Sequence, residues 1–78
     1  METCEYGLQL KIEGIGYTER RFRKSLHEVK SKAGKAFHKS FVQSVCVYDS
    51  KGNARLYLKK TDNGTIREER DENGNLIE

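Results

Sequence analysis

The chain has 78 residues, a formal charge of +3 and a pI near 9.0, with 35% hydrophobic and 35% charged residues. That length is one domain, 1–78, whose core supplies only about 3–5 kcal/mol, too little to carry a deep pocket or a strained active site. No apolar run reaches the roughly 18 residues of a membrane span and no leader pattern opens the chain, while two cysteines, Cys4 and Cys46, are too few for a secreted disulfide scaffold. A reducing, cytoplasmic setting with two thiols is the expectation, and a Cys4–Cys46 disulfide is the alternative.

Glu5 to Glu13 alternates, with Tyr6, Leu8, Leu10 and Ile12 on one face and Gly7, Gln9, Lys11 and Glu13 on the other. Period two over this length predicts a half-buried strand. Gly14-Ile15-Gly16 ends it, because glycine admits the positive φ of a tight turn. Tyr17–Lys24 then reads as a returning strand with Tyr17 and Phe22 touching the core, or as a basic loop; the hairpin is favoured.

Ser25 opens the helix. In the string SLHE, Ser25 accepts from the Glu28 amide and the Glu28 side chain reaches back to the Ser25 amide, a capping box. Leu26, Val29, Ala33, Phe37 and Phe41 recur at helical spacing and form one apolar stripe, flanked by Ala36. Lys32, Lys35 and Lys39 share a polar face, with Lys30 nearby. Gly34 costs this helix about 1 kcal/mol relative to alanine.

Three glycine-bearing turns follow, Asp49–Asn53, Thr61–Gly64 and Asp71–Asn75. They separate three antiparallel strands, Gln43–Tyr48, Ala54–Lys60 and Thr65–Arg70. The last carries only Ile66 among charges, as sheet edges do. Asn75–Glu78 is expected to be frayed or weakly paired. The predicted fold is α+β: one amphipathic helix packed on a four- or five-stranded antiparallel sheet, in the order β(β)αβββ.

Charge is uneven along the chain. Residues 17–40 carry eight lysines and arginines against two acids, a balance of +6, whereas residues 65–78 carry two against five, a balance of −3. A basic middle suits a polyanion or an acidic protein surface. The candidate binding residues are Arg20, Arg21, Arg23, Lys24, Lys32, Lys35 and Lys39, which neutralise phosphates without reading sequence. The plainer reading keeps Tyr17 and Phe22 in the core and the charges in water. Tyr48 and Tyr57 are expected on the opposite surface of the sheet; a second contact site is one reading, and the favoured one is that they are ordinary strand tyrosines.

Chemistry is harder to find. His27 and His38 are eleven residues apart, about 16 Å along a helix, and no ligand pair has the two-to-four-residue spacing of structural zinc sites. Cys46 with His38 is the only conceivable thiol–imidazole pair, and a thiol between two valines is more often inert. No catalytic residue, metal or cofactor is expected, and the chain is read as a non-enzyme.

The stretch SLHEVKSKAGKAFHKSFVQSVCVYDSKGNARLYLKKTDNG resembles the helix-then-hairpins half of small phage anti-CRISPR proteins that act on type I surveillance complexes. The tail NGTIREERDENGN is similar to the end of a small bacterial domain family of unknown function. The first resemblance implies a compact, charged, non-enzymatic phage or mobile-element protein. It would work in the host-cell cytoplasm by binding, and inhibiting or modulating, a nucleoprotein complex of a host defence or nucleic-acid-processing machine. The basic helix face would meet acidic groups or an RNA or DNA backbone, and the acidic tail has the charge of a phosphate mimic. Two alternatives remain: a stand-alone nucleic-acid-binding module using the same face, and a homodimeric interaction module paired through edge strands.

Overall fold

The structure is a computed structural model that describes residues 5–77. Cys4, and with it the Cys4–Cys46 alternative, lies outside the described residues. The elements run β1 (Glu5–Ile12), β2 (Gly16–Arg23), α1 (Leu26–Phe37), β3 (Val42–Tyr48), β4 (Ala54–Thr61), β5 (Gly64–Arg70) and β6 (Leu76–Ile77). The six strands form one antiparallel sheet in the order β2-β1-β3-β4-β5-β6. The fold is therefore α+β as expected, with six strands where four or five were predicted. The sixth is Leu76–Ile77, which pairs with Arg70 and Glu69.

One helix covers one face of the sheet. That face gathers Tyr6 and Leu8 of β1, Val45 and Val47 of β3, and Leu56 and Leu58 of β4, with Leu8, Val47 and Leu56 in one register row and Val45 beside Leu58 in the next. Val29, Ala33 and Phe37 of α1 seal them. Val29, Ala33, Val42 and Val47 are wholly inaccessible to solvent. The helix packs chiefly over β3 and β1, so the outer strands β2 and β5 emerge on its two sides. The shortest dimension, 18 Å, is that of one sheet and one helix.

The local signals explain the joints. Ser25 Oγ accepts from the Glu28 amide at 3.2 Å; in return the Ser25 hydroxyl donates to Glu28 Oε1 at 3.3 Å, so the two side chains meet each other. The β1–β2 turn uses glycines at φ 80° and 103°, Gly14 and Gly16. Asp49-Ser-Lys-Gly-Asn53 and Asp71-Glu-Asn-Gly-Asn75 are two copies of one turn. In each, the aspartate Oδ1 accepts from the amides two and four residues on, at 2.8–3.0 Å. In each, a glycine with φ near 85° completes the loop, Gly52 and Gly74. Arg55 ties the copies together: its Nε donates to the Arg70 carbonyl at 2.9 Å and its guanidinium lies 3.9 Å from Asp49.

Two expectations are corrected here. The helix stops at Phe37, with His38 as C-cap, and Phe41 is 48% exposed in the following loop. The chain must turn there to deliver Val42 to the core as the first residue of β3. The Phe41 carbonyl accepts from the Glu13 amide at 2.9 Å and pins the turn to the β1–β2 hairpin. Tyr17 and Phe22 cannot both face the core either. Five residues apart on a strand, they point to opposite faces. Phe22 packs against the core and Tyr17 is 65% exposed on the far side.

Candidate functional site

The same parity divides the predicted basic cluster. On β2, Thr18, Arg20 and Phe22 pair with Leu10, Leu8 and Tyr6 and so share the helix face. Glu19, Arg21 and Arg23 lie on the other face, where Glu5 meets Arg21 at 3.1 Å and Arg23 at 3.9 Å. Lys24 follows the strand end, exposed, just before the helix cap. Lys32 and Lys35 project from α1. Lys39 lies two residues past its end but remains on the same side.

Arg20, Lys32, Lys35 and Lys39 thus converge on a groove of about 520 Å³ between α1 and β2. Its floor is apolar: Leu8 and Leu10 from β1, Phe22 from β2 and Ala36 from the helix. Lys32 lies over the Phe22 ring at 5.4 Å, a favourable cation–π approach. Glu19 borders the groove through its backbone, since its carboxylate turns to the other face, where a side chain at Gly7 would meet it at 3.2 Å. Among the described residues, none of the four cations has an ion-pair partner. Arg21, Arg23 and Lys24 do not join them.

Lys60 escaped the sequence reading. From β4 it donates to the Lys39 carbonyl at 2.8 Å and lies 5.1 Å from the Phe37 ring, so it fixes the loop that presents Lys39. Its placement two residues after Leu58, on the alternating helix face, was the available signal. Lys30 behaves differently from its neighbours: it reaches Glu69 of β5 at 3.6 Å. Burial works to raise the Glu69 carboxyl, but the Arg67 hydrogen bond and the Lys30 charge outweigh it and hold the group below its ordinary range. The acidic end of the chain is engaged in the same way, with Glu68 near Arg70 at 4.0 Å. Asp71 is held low mainly by the Asn75 amide.

Cys46 and His38 do not meet. Cys46 pairs with Gln9 and Tyr57 on the helix-free face, while His38 caps the helix on the other. Burial pushes the Cys46 thiol up, against a hydrogen bond from Tyr48. That bond, with burial and the charges of Glu19 and Tyr17, lifts the Tyr48 hydroxyl to about 12. A thiol raised in this way is a poor nucleophile. No group of three His, Cys, Asp or Glu among the described residues is placed to hold a metal ion. No helix among them is long and apolar enough to cross a membrane.

The groove is therefore a shape with an apolar floor and a cationic rim, open along one side of the helix. It suits an anion that brings some apolar or planar surface with it. Comparison with known proteins finds no matching family, no matching curated protein and no matching solved structure.

Proposed function

We propose that this chain works by binding: it docks the groove between α1 and β2 onto an anionic surface of a nucleoprotein complex and inhibits or modulates that complex. The observation that supports the reading is the set of four cations, Arg20, Lys32, Lys35 and Lys39, held around an apolar floor with no ion-pair partner among the described residues. Unpaired cations on a small, weakly stable domain repel one another, and an incoming anion relieves that repulsion. The apolar floor adds contact area that a purely solvated charged face lacks. The resemblance of residues 25–64 to small anti-CRISPR proteins points to the same class of partner.

The test is inhibition of a panel of reconstituted type I surveillance complexes. Saturating protein is expected to block target-DNA binding, and the Lys32→Glu/Lys35→Glu double variant to relieve the block. Undiminished target binding across the panel overturns the reading. If the protein instead binds free duplex with a log–log salt slope of about −0.9 per phosphate contacted, the stand-alone nucleic-acid module takes its place. The homodimer has less support. Of the two sheet edges, β6 is only two residues long, and pairing two copies along the long edge strand β2 sets its arginine-rich end, residues 20–23, against another of the same charge.

A further inference from the structure

Among the described residues, no element covers the face of the sheet away from α1. Tyr17 pairs with Lys11, Lys11 with Ser44 and Ser44 with Lys59, so these four side chains cross β2, β1, β3 and β4 in one row of that face. Tyr57 stands two residues before Lys59 on the same face. The register shift at Lys11/Ile12 leaves Gln43 as an extra residue of β3, and bulges of this kind re-aim side chains next to binding sites. Gln43 and Ser44 both border a depression of about 450 Å³ between Tyr17 and Tyr57. Lys11 sits 5.8 Å from the centre of the Tyr17 ring, which is 65% exposed.

We propose that this depression binds single-stranded nucleic acid, with bases stacked on Tyr17 and Tyr57, phosphates met by Lys11 and Lys59, and base edges bonded by Gln43 and Ser44. An open antiparallel sheet with aromatic side chains on its surface offers flat platforms to unpaired bases, and neighbouring cations follow the backbone. Double helices keep their bases stacked inside and have nothing to offer the tyrosines. Neither Lys11 nor Lys59 has an ion-pair partner among the described residues. One acid, Asp62, stands at the rim. In the next row Glu19 and Glu68 take the positions beyond Gln9 and Tyr57, which confines the strand to this end of the face. The site lies across the sheet from the basic groove and stands whether or not the groove binds an anion.

The chain has four tyrosines and no tryptophan, so tyrosine emission is a direct readout of stacking. Ten-nucleotide RNA and DNA strands and the matching duplexes would be titrated, following tyrosine emission and the anisotropy of labelled copies. Single strands are expected to bind at least tenfold tighter than duplex and to quench the emission. Tyr17→Leu should weaken binding about tenfold and Tyr17→Phe by less than threefold, since only the first removes the ring. Lys51→Glu, exposed in the Asp49–Asn53 turn and outside both the groove and this depression, should leave single-strand binding within threefold. The difference between the RNA and DNA arms reads which sugar the site prefers. No single-strand binding at low salt, or binding that Lys32→Glu/Lys35→Glu abolishes and Tyr17→Leu does not, overturns the proposal.

Discussion

The two flanks of the helix are built from the same materials and finished differently. Toward β5, Leu56 and Leu58 are 2% and 5% exposed, and Lys30 crosses to Glu69 at 3.6 Å, so charge and core are both closed. Toward β2, Leu10, Phe22 and Leu26 stay only partly buried, and Arg20, Lys32, Lys35 and Lys39 face one another with no ion-pair partner among the described residues. Lys30 and Lys32 are two residues apart on one helix, yet among the described residues only Lys30 has an ion-pair partner. The difference separates a flank whose charge is paired within the fold from a flank whose four cations have no ion-pair partner among the described residues.

The comparison breaks most visibly in the core. Leu56→Ala on the closed flank should cost about 2–5 kcal/mol in urea unfolding, whereas Leu10→Ala on the open flank should cost less than half as much, because a half-buried side chain leaves a smaller cavity. Equal losses would mean that the open flank is packed as tightly as the closed one. A smaller effect is expected along the helix. A methyl group at Gly34 meets nothing within 4 Å, so the glycine is tolerated and not required. Gly34→Ala should raise stability by about 0.5–1 kcal/mol and leave every binding activity unchanged. The smallest effect is the ion pair itself. The Glu69 carboxyl is held below its ordinary value near 4.5, so the stability it lends is present above that pH and fades as pH falls through the lowered folded value. Comparing Glu69→Gln with the parent from pH 7 downward should show a difference of about 0–1 kcal/mol at neutral pH that shrinks progressively as the pH is lowered.

Much of this architecture was legible in the residues. The alternation from Tyr6 to Ile12 named the buried face of β1, the Ser25 cap placed the helix start, and the glycine turns separated the later strands. The helix end was not legible, because Phe41 continues the helical spacing by coincidence. Only the need to bring Val42 into the sheet, and the Glu13–Phe41 backbone bond, end the helix at Phe37. Leu76–Ile77 escaped because two residues carry no period of their own, and it takes the turn at Asp71 to fold them back on β5. The candidate site was half legible. Lys32 and Lys35 follow from helical spacing, and strand parity separates Arg20 from Arg21 and Arg23 once Tyr17–Lys24 is read as strand. That Lys30 finds Glu69, thirty-nine positions on, depends on the sheet bringing β5 beside the helix, which no local pattern states.

The most direct test of the difference between the flanks is an amide map of the protein by nuclear magnetic resonance, titrated with inorganic polyphosphate at low salt. Shifts should concentrate at Thr18, Arg20, Phe22, Lys32, Lys35 and Lys39, and leave Lys30 and Glu69 unmoved. Shifts spread equally over both flanks, or centred on Lys30 and β5, would contradict the assignment of the open flank as the anion-binding surface.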